Sequence, residues 1–211
     1  MGRIIYLAGN DGTGKTTQAE LLVAALNREG LPASYVWLRF PQYVSLPALA
    51  LSRILRVTRY RKVGGQLEGR WEFYRMPWLA SLLLWCQVVD VRIARRRRID
   101  TLTRRGEVVV LDRFVYDIAI DIANAARDDR LLYGKAARLL YKLAFDATTF
   151  ILDAPVSVLS ARRPDLNLDD RLSERARMYR ALARALAIKV LDTTDSADSV
   201  HRRILVEGVG D

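Results

Sequence analysis

The sequence predicts an α/β domain: a five-stranded parallel sheet with helices on both faces and a short lid. Three observations carry that prediction. Apolar runs of strand length alternate with amphipathic stretches of helix length along the whole chain, the pattern of parallel strands joined by crossover helices. The run Val108-Val109-Val110-Leu111 is fully apolar, as a central strand covered on both faces must be. The segment Gly9-Asn10-Asp11-Gly12-Thr13-Gly14-Lys15-Thr16-Thr17 meets the spacing G-x-x-x-x-G-K-T between an apolar, β-rich run and an amphipathic helix.

The elements follow in order. A first strand over about Arg3–Ala8 leads into a helix over about Gly14–Arg28, whose Ala19, Leu22, Val23 and Leu26 fall on one face. That helix stops at Gly30-Leu31-Pro32, a glycine stop followed by a proline. A second strand spans roughly Ala33–Phe40 and a helix Ser45–Val57, and the Gly-punctuated Val63–Gly69 reads as a mobile loop. One long helix or two run from Pro77 to Arg104 and end at Gly106. After the third strand, helices near Tyr116–Ala126 and Leu132–Phe145 precede a fourth strand, Thr148–Leu152. Pro155 opens a short helix, a polar lid covers Pro164–Asp170, and a helix follows at Arg171–Ala187. Lys189-Val190-Leu191 is the fifth strand and Ser196–Val206 the closing helix.

The bulk properties narrow the class. A chain of 211 residues, 51% hydrophobic and 27% charged, suits one globular domain over 1–211 rather than a disordered protein. One cysteine, Cys86, excludes an internal disulfide framework and fits a reducing, cytoplasmic setting; lying in an apolar run, it reads as a buried structural thiol. The N-terminus enters the first strand at once, leaving no room for a signal peptide. The apolar stretch Trp78–Val89, broken by Ser81 and Gln87, is too short to span a bilayer. Its residues nearly encircle a helix, so both faces need cover, from a deep core or from a homodimer partner. No membrane partner is expected.

A net charge of +10 suits nucleic acid or small polyanions such as nucleotides. The excess is arginine, densest at Arg95-Arg96-Arg97-Arg98. Four successive residues point around a helix rather than along one side. The run therefore reads as a solvated helix end, and no nucleic-acid-reading module accompanies it, so nucleic acid is not an expected partner.

The glycine-rich segment explains its own residue types. Glycines let successive backbone N–H groups turn toward phosphate oxygens at a helix N-terminus. This is the phosphate loop of a P-loop NTPase fold, with ATP as ligand of Gly9 through Thr17, Lys15 reaching the β- and γ-phosphates and the Thr16 hydroxyl on Mg²⁺. Asp112-Arg113 closes the central strand at the carboxyl edge, where open parallel sheets bind ligands. Asp112 is thus placed for Mg²⁺ or its water and Arg113 for a substrate phosphate, the plainer alternative being a helix cap beside a surface arginine. Arg162, Arg163 and Arg171 flank the lid, where cations answer the charge of phosphoryl transfer unless they are ordinary helix-end arginines.

These residues together resemble the thymidylate kinases. The likeness rests on Asp11–Gln18, Arg39-Phe40-Pro41, Asp112-Arg113-Phe114, Phe150–Pro155 with Arg162-Arg163, the Arg171–Tyr179 helix, and Val190–Thr194 followed by Val200. It covers nearly the whole chain. It implies that Asp11 contacts the acceptor sugar, Arg113 its phosphate and Phe40 its base, with Arg39 beside them. Three departures stand out: Tyr43 occupies the position of a family arginine, Tyr116–Asp121 replaces a serine and an Ala-Tyr-Gln, and the arginine that the family places on the long helix facing the base has no clear counterpart around Trp85–Arg92. Asp117 and Asp121 fall four apart on a helix face that is either cleft or solvent, and in the cleft they would favour an acceptor rich in donors.

The expected activity is ATP- and Mg²⁺-dependent phosphorylation of a deoxynucleoside monophosphate, dTMP to dTDP first. Lys15, Arg113 and Arg163 are its catalytic cations, and Asp11, Arg39, Phe40, Arg113 and Asp117 its acceptor set. Thr16 and Asp112 hold the metal. The alternatives are a P-loop kinase of a nucleoside or other small molecule, and a nucleotide-dependent nucleic-acid-binding protein.

Overall fold

A computed structural model describes residues 2–63 and 66–209, with side chains outside 59–70. The strands of its main sheet are β1 (Ile4–Gly9), β2 (Ala33–Trp37), β5 (Val108–Asp112), β6 (Ala147–Asp153) and β7 (Lys189–Asp192). All neighbours pair in parallel, in the order β2-β5-β1-β6-β7. The sheet is the expected one, with β1 rather than β5 at its centre. Both are buried at every position, because each has a strand on either side and helices above and below.

Alternation along the strands sorts side chains to two faces. Ile5, Leu7, Val108, Val110, Phe150 and Leu152 meet α1 (Lys15–Arg28) and α9 (Ala197–Val209). Ile4, Tyr6, Ala8, Val109, Leu111 and Ile151 face the larger core. That core is built by α3 (Pro77–Ala94), α5 (Val115–Ala126), α6 (Lys135–Tyr141) and α8 (Leu172–Leu186), with α2 (Leu46–Ile54) at its margin. A third small cluster, Ala154, Leu159, Leu166 and Leu172, joins α7 (Val156–Arg162) to the Pro164–Leu168 turn and the start of α8. The polar segment expected as a lid is therefore anchored by a buried leucine. Pro155 stands one position outside α7, and its carbonyl accepts from the Val158 and Leu159 N–H groups.

Three expectations change. Val63–Gly69 is not a loop: β3 (Thr58–Val63) and β4 (Gln66–Trp71) pair antiparallel, while Gly64 and Gly65 lie outside the described residues. The glycines of the stretch read as loop signals, whereas the flanking residues pair as strands. Next, Arg95–Arg98 is not a helix end. The helix widens into a π turn over Arg95–Ile99 and continues as α4 (Asp100–Arg104). Arg95 turns inward onto Asp146 at 2.9 Å and Asp100 at 3.1 Å, while Arg96, Arg97 and Arg98 stay exposed. Finally, the continuous Pro77–Arg104 helix has 28 residues and a window of mean hydropathy 1.3, long and apolar enough by those measures to cross a bilayer. Leu79, Ala80, Leu83, Leu84 and Val91 nevertheless lie in the core. The opposite face, with Trp78 53% and Trp85 44% exposed beside Leu82 and Val89, is open. Cys86 sits between the two faces, half-buried, its thiol pushed up by burial and then by Asp90.

Candidate functional site

The carboxyl ends of β1, β5 and β2 come together where Leu7, Asp112 and Trp37 lie in register, and the Gly9–Thr17 segment turns there from β1 into α1. Gly14 adopts φ 86°, a left-handed conformation strained for any residue with a Cβ, and nothing lies within 4 Å of where that Cβ would stand. The loop thus bends sharply and keeps open space over its backbone. Asn10 braces it from within: its amide donates to the Leu172 carbonyl at 3.0 Å and its side-chain oxygen accepts from the Asp11 N–H at 3.1 Å. A Cβ on Gly12 would lie 3.3 Å from Leu166, so the Pro164–Leu168 turn rests directly on the loop.

A cavity of about 470 Å³ opens on this loop, lined by Gly12–Gln18 with Asp11, Arg113, Arg162, Arg163 and Thr193. Lys15 is buried and folds back, its ammonium donating to the Asn10 carbonyl at 2.7 Å. Burial first, and then the like charge of Arg113, lower its pKa to about 8. Asp11 shows the opposite balance. Burial alone would raise its carboxyl, but Arg113, Lys15 and Arg175 outweigh it and hold it well below the usual carboxylate range. Arg113, at φ 67°, turns its guanidinium onto Asp11. Arg163 is exposed at the rim, paired with Asp165, and Arg162 donates to Thr193.

Thr16 donates to Asp112 Oδ2 at 2.6 Å. Asp112 is 1% exposed, and its other oxygen, Oδ1, is buried with no partner. A buried carboxylate oxygen left without a donor is costly, so this one asks for a cation or a water. Hydroxyl and carboxylate oxygens suit a hard ion such as Mg²⁺. Among the described residues no cluster of three or more His, Cys, Asp or Glu forms a metal cage. Any ion here must therefore take further oxygens from a ligand, as Mg²⁺ does with phosphates.

A second cavity of about 610 Å³ adjoins the first and is lined by Arg39, Phe40, Trp71, Asp121, Asn124 and Arg175 among others. Phe40 meets Trp71 edge-on with ring centroids 4.7 Å apart, and Trp71 stacks on Phe73 at 5.3 Å. The hairpin strand β4 thus supplies an aromatic wall that no sequence motif announced. Arg39 donates two hydrogen bonds to Asp121, the shorter 2.8 Å. Arg175 stands between the cavities, 4.0 Å from Asp11 and 3.8 Å from Asp121, and bonded to Asp169. Its Nε is buried without a partner.

The structure brings Asp11, Lys15, Thr16, Asp112 and Arg113 into one site and sets Arg39 and Phe40 in the adjoining cavity. It does not bring Asp117 there. That carboxylate is 0% exposed and accepts from the Tyr6 hydroxyl at 2.5 Å, the Tyr179 hydroxyl at 2.7 Å and the Phe114 N–H at 3.0 Å. In the first turn of α5 it caps the helix and ties it to β1 and α8, so it has no oxygen for an acceptor. Tyr43 is also outside the cavity, exposed, with the Arg97 guanidinium 5.3 Å from its ring. Arg175 and Trp71 belong to no local motif: Arg175 meets Asp11 and Asp121, and Trp71 meets Phe40, only across long sequence separations. No protein-family model and no curated protein matches this chain.

Proposed function

We propose that this protein is a P-loop kinase that transfers the γ-phosphoryl group of ATP to a deoxynucleoside monophosphate, with dTMP the first choice. The observation that carries the reading is a pair of cavities linked by charge: Asp11 and Arg113 line the first, and Arg175, which lines the second, lies 4.0 Å from Asp11. One cavity offers a glycine-rich loop and a lysine; the other offers an aromatic platform and arginines. Phosphoryl transfer needs little covalent help from a protein, mainly alignment and cations on developing charge. Lys15 would leave Asn10 for the phosphate chain, and Arg113 and Arg175 would hold the acceptor phosphate against it. Arg163 at the rim would close from the donor side. Thr16 and Asp112 would hold Mg²⁺, which when bound neutralises charge on the transferred group. Thr16 has one proton to give Asp112, which leaves its oxygen lone pairs for the ion. Asp121 is already answered by Arg39 and Arg175, so its charge calls for no donor-rich acceptor.

The test is a panel of ATP, Mg²⁺ and single nucleoside monophosphates scored by ADP release, with dTMP expected to turn over. Turnover of every other monophosphate but not dTMP would remove the thymidylate assignment. No turnover with any of them would move the case to nucleosides, other small acceptors or a nucleic-acid partner.

A homodimer is part of the same proposal. The open face of α3, with Trp78, Leu82, Trp85 and Val89 each 40–53% exposed, is an apolar stripe that water disfavours. Light scattering at micromolar concentration should give twice the 24.0 kDa chain mass. Trp85→Glu should lower it toward one chain. A single-chain mass for the unaltered protein would exclude the dimer under those conditions.

A further inference from the structure

Tyr35 lies on β2, the edge strand, outside every motif of the sequence. Its hydroxyl donates to Asp112 Oδ2 at 3.0 Å, the same oxygen that accepts from Thr16 at 2.6 Å. Resting on the nucleotide-and-Mg²⁺ reading above, we propose that Tyr35 is a positioning residue of the cation site, holding the Asp112 carboxylate so that Oδ1 is kept for the ion or its water.

A carboxylate turns easily about its last torsion, and one donor does not set its plane. Here two donors from different elements, β2 and α1, converge on one oxygen. The other oxygen is buried and receives none. The two oxygens are therefore differentiated before any ion arrives. Outer partners that orient a ligating group commonly change metal affinity by about ten- to a hundredfold when removed.

The experiment uses the full chain loaded with ADP and follows Mn²⁺ binding through the electron paramagnetic resonance signal of free Mn²⁺. Tyr35→Phe keeps the ring, and at 38% exposure the change does not threaten the fold. Mn²⁺ affinity should fall about tenfold, with metal-free ADP affinity and the melting temperature unchanged. Asp112→Asn, the positive control, should weaken Mn²⁺ at least as much. Unaltered Mn²⁺ affinity in Tyr35→Phe beside a loss in Asp112→Asn would overturn the proposal and leave Tyr35 a staple between strands. A wild-type protein that binds Mn²⁺ no better than free ADP does would overturn the nucleotide-and-metal reading itself, a separate outcome.

Discussion

Lys15→Ala should lower the rate of phosphoryl transfer by about 10²–10³-fold while the protein remains folded, the cost of removing one pre-placed group from developing charge. The ammonium is buried at the cavity floor, and its only hydrogen bond among the described residues is to the Asn10 carbonyl. Truncation leaves no charged partner wholly unanswered, because Asp11 keeps Arg113 and Arg175. Turnover compared with thermal unfolding separates the two effects, and near-wild-type turnover would remove the glycine-rich loop from the mechanism.

The same lysine predicts a pH dependence whose sign can be worked out. In the free protein its pKa is lowered to about 8 from an ordinary 10.5, by burial and then by Arg113. A bound triphosphate favours the charged form and raises it again. ATP affinity should therefore be full below pH 8 and decline as pH rises through it, with proton uptake on binding near pH 8–9. Calorimetry in two buffers of different ionisation enthalpy measures that uptake. In Lys15→Ala it should vanish.

Arg113→Ala should damage use of the phosphorylated acceptor far more than ATP binding. Losing a charge-assisted contact costs about 1.5–3 kcal/mol, which is about ten- to a hundredfold in acceptor affinity. The backbone there sits at φ 67° with either residue, so strain is common to both proteins and cancels in the comparison. Stability should fall as well, since Asp11 loses its closest cation in a mostly buried pair. Acceptor KM, ATP Kd and melting temperature together test the assignment. An ATP affinity that falls as far as the acceptor's would show that Arg113 serves the donor instead.

How much could be read from the chain depends on how local the cause is. Strands and helices appear in the sequence because burial imposes periods of two and 3.6 on neighbouring residues. The hairpin β3–β4 escaped because its glycines resemble a loop, and what makes it a hairpin is the Thr58–Trp71 pairing across it. Helix α3 announced two apolar faces, but only packing decided that Leu79, Leu83 and Val91 enter the core while Trp78 and Trp85 face outward.

The candidate site divides in the same way. The amino-acid sequence by itself determined the Gly9–Thr17 turn, the lysine and threonine that follow it, and the Asp112-Arg113 pair at a strand end, since each is set by a few adjacent residues. Tertiary structure alone decided the rest. Asp117 and Asp121 share a helical spacing, yet Asp117 meets Tyr6 and Tyr179 while Asp121 meets Arg39 and Arg175. Tyr35 finds Asp112 across 77 positions, and Arg175 reaches Asp11 only because α8 lies beside β1's carboxyl end. The physical reason is common to all three. Backbone hydrogen bonding and side-chain period act over a few residues, whereas a charge or a hydroxyl finds its partner only after the sheet has set the distance between them.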